Sequence, residues 1–366
     1  MAYDSQIFSA QVYGGVSRYY CETASRVAKN PGMQVLITAP MYINAYLEHV
    51  PKSLVSGFKV ITTNHLRLLQ RGLSLVIGDC MLRVAAPDIV HETYYFPYRM
   101  GPKRAKRVLT IYDMISEKYP TNSVHAVKAA RYKAIAAKRA DHVICISEST
   151  RRDVIEILEL PHEKTSVIHL GFDLMDSVLP KPKKLALPTT EPFLLFVGHR
   201  GGYKNFVRLL ESYAASPLLR SNYKLICFGG GPLNPNELKM IQELDINRDQ
   251  IMQLSGNDQV LAGLYEHASA LVYPSLYEGF GIPPLEAMAY DCPVVCSDTS
   301  SIPEVVGEAG EYFEPGDAES MRVAIEHVVD SAEYQKILIT KGRERLKLFS
   351  WDRCARETLA IYKNLI

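Results

Sequence analysis

Tyr277-Glu278-Gly279-Phe280-Gly281-Ile282-Pro283-Pro284-Leu285-Glu286-Ala287-Met288-Ala289 is the stretch on which the reading of this 366-residue chain turns. It follows the β-prone run Leu271-Val272-Tyr273 and its Pro274-Ser275 exit, so it reads as a strand leaving through a loop into a helix. Gly279 and Gly281 let the backbone approach a ligand closely, and Pro283 or Pro284 suits the first helical turn, which places Glu286 in that turn. Leading N–H groups and the positive end of such a helix favour an anion such as a phosphate. Glu278 and Glu286, eight residues apart, would both repel a phosphate, and they are better employed accepting hydrogen bonds from hydroxyls. A ligand with a phosphate and many hydroxyls is a nucleotide sugar. An architectural alternative fits the same residues, with Glu278 capping a turn and Glu286 complementing the helix dipole.

Outward from this stretch, short β-branched runs alternate with longer amphipathic segments. Val35–Thr38, Ile89-Val90, Val108–Ile111, His142–Ile146 and Val167-Ile168 punctuate the first half; Phe193–Gly198, Leu225–Gly229, Ala270–Tyr273 and Pro293–Cys296 punctuate the second. Strands separated by helices predict βαβ units and parallel sheets. The alternation breaks at residues 171–192, where Pro180, Pro182, Pro188 and Pro192 interrupt the period, as in an interdomain linker. Two α/β domains follow, over residues 1–175 and 190–349, with a last helix over 350–366 opening at a Ser350 cap.

Two further loops leave strands with phosphate-compatible chemistry. In Val197-Gly198-His199-Arg200-Gly201-Gly202-Tyr203-Lys204, the fixed cations Arg200 and Lys204 can neutralise a diphosphate leaving group; a surface turn with incidental charges reads equally well. Near the start, Gly14-Gly15 precedes a helix-like run and offers backbone amides, but the full G-x-G-x-x-G fingerprint of a dinucleotide oxidoreductase is absent. Gly229-Gly230-Gly231-Pro232 after another strand reads as a turn or as part of a cleft lining.

Composition sets the wider limits. An apolar fraction of 47% and a charged fraction of 22% are those of a globular protein rather than of a disordered or fibrous one. Seven cysteines, an odd number without a CxxC pair, suit reduced and packed cytosolic thiols better than a disulfide framework or a zinc site. No apolar run approaches the ~18 residues that would span a bilayer, and Met-Ala-Tyr-Asp does not open a signal peptide. These features predict a cytoplasmic protein. Charge is uneven: residues 1–170 hold 22 Lys and Arg against 14 Asp and Glu, whereas residues 171–366 hold 19 against 26. The basic half suits an acidic partner or an anionic membrane surface, although solvated helix faces account for such patches as well.

These residues together resemble family 4 of the retaining glycosyltransferases, of GT-B fold, over nearly the whole chain. The similarity rests on the E-x7-E motif Glu278–Glu286, then Pro293-Val294-Val295, Ser300-Ser301-Ile302-Pro303-Glu304-Val305 and Gly316-Asp317 in order. It implies two Rossmann-like domains with parallel sheets facing across a cleft, the donor held largely by the second. It assigns the donor sugar to Glu278, sugar and phosphate to the amides of Gly279, Phe280, Gly281 and Ile282, and ribose hydroxyls to Glu286. The family's Arg and Lys on the diphosphate correspond to Arg200 and Lys204, with Arg200 one place later than is common and His199 in the usual slot. Its amino-terminal glycine loop corresponds to Gly14-Gly15. Where many members have a His that helps hold the donor sugar, this chain has Tyr112 before Asp113, which leaves His91 as a second cleft candidate.

The resemblance further implies a metal-independent, retaining transfer without any cofactor. The donor is a nucleotide diphosphate sugar, with GDP-mannose favoured over UDP-hexoses. The acceptor is a saccharide or lipid-linked saccharide in bacterial surface polysaccharide assembly, met at the inner face of the cytoplasmic membrane, and nucleic acid is not a partner. A nucleotide-sugar epimerase and a catalytically silent carbohydrate-binding subunit are the rival readings. Tyr94, Tyr95 and Tyr98 either stack on an acceptor sugar or are ordinary core and surface aromatics.

Overall fold

A computed structural model describes residues 1–61, 63, 65–121, 123–173 and 189–366. The chain divides into two units, Met1–Gly171 with Phe349–Ile366, and Phe172–Leu348. Most of the proline-rich segment expected as a linker lies outside the described residues.

The first unit carries a seven-stranded sheet of β1 (Ala2–Tyr3), β2 (Leu36–Tyr42), β3 (Val55–Lys59), β4 (Ile89–Glu92), β5 (Lys106–Ile111), β6 (His142–Cys145) and β7 (Thr165–Val167). All its pairings are parallel and the order is β3-β2-β1-β4-β5-β6-β7. The second unit carries β8 (Phe193–Val197), β9 (Lys224–Phe228), β10 (Ile251–Leu254), β11 (Ala270–Tyr273), β12 (Val294–Ser297) and β13 (Gly310–Phe313). These too are parallel, in the order β10-β9-β8-β11-β12-β13. Each sheet therefore reverses its winding once, between β1 and β4 and between β8 and β11. In such sheets ligands bind in the crevice beyond the carboxyl ends of the strands at that reversal.

The central strands are those the sequence announces. β8 and β11 are buried almost throughout, because helices cover both faces of a doubly wound sheet and each strand must be apolar on both sides. Leu194, Phe196, Val272 and Val295 pack against Phe206, Leu209, Met321 and Ile325 of the flanking helices in the core of the second unit. The strands β3, β10 and β13 have no counterpart in the sequence reading. Each is an edge strand with a half-covered or exposed face, so its residues lack the apolar density that marks a buried strand.

The terminal helix Trp351–Leu365 starts at the Ser350 cap, whose Oγ accepts from the Arg353 N–H at 3.3 Å. It packs on the helix Gly15–Val27, and an Arg26–Asp352 ion pair of 2.8 Å joins the two. Gly171 closes the same contact: a Cβ there would lie 2.4 Å from the Trp351 backbone nitrogen and ring. Six cysteines are buried as expected of packed thiols, but Cys80 is exposed on the helix Arg67–Ala85, and all seven are free.

Candidate active site

At the reversal in the second unit, the loops after β8 and β11 meet. Leaving β8, Gly198 turns with φ +127° and the chain passes through a 3-10 turn at Gly202–Lys204 to left-handed Asn205 before the helix Phe206–Ala215 begins. The Leu276 N–H donates to the Tyr203 carbonyl at 2.7 Å and ties the two loops together. That contact brings Lys204 to Glu278, with Nζ 2.5 Å from Oε1 and the phenol of Tyr273 3.5 Å from the same ammonium. Both charged side chains are mostly covered, at 13% and 11% exposure. Burial, and then the Glu278 carboxylate, push the Tyr273 phenol well above its ordinary range, so it stays protonated and able to donate.

Two serines hold the carboxylate's backbone in place. Ser300 Oγ accepts from the Glu278 N–H at 2.9 Å, and Ser301 Oγ donates within 2.9 Å of both the Glu278 and Phe280 carbonyls. Beyond Phe280, which is buried, Gly281 adopts φ +108° and N-caps the helix Ile282–Ala289. Only glycine reaches that conformation without strain. Pro283 and Pro284 carry no N–H, so Gly281 and Ile282 supply the leading amides of this helix end. Glu286 is the fifth helical residue, past the first turn in which the sequence reading put it, because the helix starts at Ile282 and not at a proline. It is 9% exposed and accepts from the Tyr265 hydroxyl at 2.9 Å.

Arg200 is employed differently from the sequence expectation. Its side chain is 2% exposed and lies against Glu237, with Nε 3.0 Å from Oε1. Its Nη1 donates to the Gly229 carbonyl at 2.8 Å, and its Nη2 to those of Gly231 and Pro232 at 2.8 and 2.9 Å. A guanidinium has five N–H donors, and here they are directed to Glu237 and to the loop Gly229–Pro232. The three left-handed glycines of that loop, at φ +91°, +70° and +71°, aim their carbonyls at one cation. Arg200 thus holds a loop, and Lys204 is the candidate diphosphate cation that stands beside Glu278.

The other candidates lie in the first unit. Gly14 N-caps the helix Gly15–Val27 with no side-chain cap, which leaves backbone amides to dress that helix end. A Cβ on Gly14 would meet the Gln11 side chain at 2.5 Å. His91 is not a cleft residue. It is fully buried, its Nδ1 lies 2.6 Å from the Tyr362 hydroxyl and its Nε2 2.9 Å from Thr110 Oγ1, and burial lowers its pKa to about 3. Both ring nitrogens are used to pin the terminal helix to β4 and β5. Tyr112 likewise turns inward: its ring meets Tyr19 and Tyr20 edge-on and its hydroxyl is buried, so it does not replace the family His as a donor to sugar. Asp113 is 35% exposed and accepts from the Ile115 N–H at 3.1 Å, which starts the short helix Ile115–Lys118. Tyr95 is buried under Lys133, and Tyr98 is exposed.

Ser300, Ser301, Tyr273, Tyr265 and Glu237 act on the site without being legible as site residues. Ser300-Ser301 stood inside the quoted signature, but that a hydroxyl staples carbonyls 21 to 23 residues earlier is a tertiary fact. Among the described residues, no group of three or more His, Cys, Asp or Glu side chains is placed to hold a metal ion.

Comparison with known proteins agrees with this arrangement. The family model described as Glycosyltransferase Family 4 matches residues 13–176, and that described as Glycosyl transferases group 1 matches residues 179–345. The chain is 29% identical over 373 aligned positions to the O-antigen chain mannosyltransferase B of Escherichia coli, covering 96% of each. It is 29% identical over 231 positions to the O-antigen chain mannosyltransferase RfbU of Salmonella typhimurium, covering 62% of each. Among solved structures, a sucrose-phosphate synthase from Thermosynechococcus elongatus has the same fold, with a TM-score of 0.70 over 100% of this chain and 98% of that one at 19% identity. Two winding reversals, the paired loops after β8 and β11, and consecutive matches across both units place the chain in family 4 of the GT-B glycosyltransferases.

Proposed function

We propose that this glycosyltransferase moves mannose, with retention of configuration, from GDP-mannose to a saccharide or lipid-linked saccharide in the assembly of a bacterial surface polysaccharide. The observation that carries the proposal is the Lys204–Glu278 pair beside the helix end at Gly281 and Ile282. In it, one cation and two amides face a departing diphosphate while carboxylates are left for hydroxyls. The named activity of relatives similar over 96% and 62% of their length supports mannose and O-antigen chains as the substrate class.

In this reading the anomeric C1–O bond to the diphosphate breaks as an acceptor hydroxyl oxygen bonds C1 on the same face. The acceptor's proton passes to the departing phosphate oxygen, and the products are the glycoside and GDP. Lys204 and the Gly281 and Ile282 amides stabilise the charge that develops on the diphosphate. Glu278 orients a sugar hydroxyl and Glu286, steadied by Tyr265, the ribose. The reaction is read as metal-independent, and the enzyme as working in the cytoplasm at the inner face of the membrane.

The test supplies purified protein and a mannose-terminated acceptor with GDP-mannose, UDP-glucose or UDP-galactose, with and without EDTA, and follows the product anomer by NMR. Transfer from GDP-mannose, an α-linked product and indifference to EDTA are expected. A β-linked product, a UDP-sugar preference, or an epimer formed from donor alone overturns the corresponding part.

A further inference from the structure

β1, β2 and β3 bring their carboxyl ends to one edge of the first sheet, and a group of tyrosines gathers there that the proposed transfer leaves unused. β2 ends at Tyr42 and β3 at Lys59, and these two residues are register partners in a parallel pair. Beyond β1 the chain makes the short helix Gln6–Ala10 and a loop over 11–14, and beyond β2 it makes a 3-10 turn at Tyr46–His49. Because the strands are parallel, these connections share the edge at which ligands of such sheets bind.

Hydrogen bonds lace the two connections into a ledge. The Ile43 N–H donates to the Phe8 carbonyl at 3.1 Å and the Ala45 N–H to the Val12 carbonyl at 2.9 Å. Between them, Asn44 Nδ2 donates to the carbonyls of Gln11 and Val12 at 2.9 and 3.2 Å. On this braced loop Tyr13 is 68% exposed, its ring edge-to-face with Tyr46 at 5.7 Å. A Lys59–Glu48 ion pair of 2.9 Å, with both side chains about half open to water, borders the tyrosines. The hydrogen bond to Glu48 raises the Lys59 pKa most, and Tyr13 and Tyr42 act in the same sense, which places both phenols in the field of that ammonium.

An exposed ring on a rigid loop, bordered by groups that donate and accept, has the chemistry of a sugar contact. The ring offers an apolar face to the C–H side of a pyranose, and the phenols, ammonium and carboxylate meet its hydroxyls. Under the ledge, Oδ1 of the fully buried Asn44 and Oε1 of Gln11 receive no donor among the described residues. Enclosed acceptors ordinarily have a donor, and donors are what a polyhydroxylated ligand brings. A phosphorylated ligand would be repelled by Glu48, whereas a neutral glycan is not. Tyr13 directly precedes Gly14, the N-cap of the helix Gly15–Val27, so the ledge stands on the β2 side of the winding reversal between β1 and β4.

We propose that Tyr13 and Tyr46, with Glu48 and Lys59, form a subsite for the inner sugars of the acceptor glycan, those behind the sugar that receives mannose. The inference rests on the transfer proposed above and deepens it: the enzyme extends existing chains and favours an acceptor of two or more sugars over a single one.

The experiment titrates the full chain with methyl α-mannoside and with an α-linked mannotriose, followed by saturation-transfer NMR, and then compares KM and kcat for the two as acceptors. The trisaccharide is expected to bind about tenfold more tightly than the monosaccharide. Y13A should abolish that gain and raise KM for the trisaccharide by about tenfold while kcat changes less than threefold, and Y13F, which keeps the ring, should retain most of it. Far-UV circular dichroism checks folding, and if Y13A does not fold, E48A carries the test with an expected loss of a fewfold. Equal binding of the two sugars by the parent overturns the proposal, as does a folded Y13A that binds the trisaccharide like the parent. So does a parent that sediments as a dimer which Y13A splits, since the ledge is then an interface between copies. The titration contains no donor, so a failure of the GDP-mannose reading in its own assay is distinguishable from a failure of this subsite.

Discussion

The ammonium of Lys204 lies 2.5 Å from Oε1 of Glu278, across a sequence separation of 74 residues, and both side chains are mostly withdrawn from water. A covered pair of this kind is in balance only while both partners are present. On the proposed reading, a diphosphate that competes for the ammonium releases Glu278 toward donors on the ligand, so that one ion pair readies a cation and an acceptor together.

Lys204→Ala is therefore expected to lower kcat by about 100-fold or more, the scale of losing one preorganised stabilising donor. Steady-state kinetics with the donor saturating checks this. Turnover within a factor of a few of the parent would remove Lys204 from the chemistry.

Arg200→Ala should act on stability. It leaves the Glu237 carboxylate half-buried without its partner and frees the carbonyls of Gly229, Gly231 and Pro232, a loss of about 3 kcal/mol or more in urea unfolding. If Arg200 instead faced the diphosphate, the variant would unfold like the parent and lose turnover alone.

His91 gives the fold a pH dependence of defined sign. Its pKa falls from an ordinary 6.5 to about 3 because burial opposes the charged ring, so below pH 6.5 the unfolded chain binds a proton that the folded one refuses. The stability it contributes is present above 6.5 and is lost as pH falls toward 3. Glu92 has the opposite sign. Burial, opposed mainly by Arg139, raises its pKa from 4.5 to about 7, so its contribution is full below 4.5 and is lost as pH rises through 7. Thermal melts from pH 4 to 8 should show a flatter acid limb for His91→Gln and a flatter limb between 4.5 and 7 for Glu92→Gln, and parallel curves would refute both assignments.

Gly171→Ala tests how the terminal helix is held. A methyl group 2.4 Å from the Trp351 nitrogen meets backbone, which cannot swing aside, so about 3 kcal/mol of overpacking is expected. Removing one hydroxyl by Tyr362→Phe, which strips His91 Nδ1 of its partner, should cost about 1–3 kcal/mol. Equal melting temperatures for parent and Gly171→Ala would show the helix docked elsewhere.

The sequence by itself determined the architecture and the chemical vocabulary. Runs such as Phe193–Val197 and Ala270–Tyr273 must be buried on both faces, which only a helix-covered parallel sheet allows, and Gly281 ahead of two prolines marks a helix start whichever way the rest packs. The tertiary structure decided which residues use that vocabulary. Arg200 and Lys204 are equivalent as charges four positions apart, yet one is enclosed by carbonyls and the other meets Glu278, because the loop Gly229–Pro232 arrives from a different strand. His91 and Tyr112 looked like cleft residues because imidazole and phenol serve catalysis and packing alike, and burial beside Tyr362 and Tyr19 selected packing. On the helix Arg67–Ala85, the exposed stripe of Leu69, Leu73, Val76, Ile77 and Val84 has the periodicity of a core face, and periodicity says that a face is apolar without saying what covers it. In this fold the small residues Ser74 and Gly78 took the inner side, since they let the helix approach Ser5 closely, and the leucines were left outside.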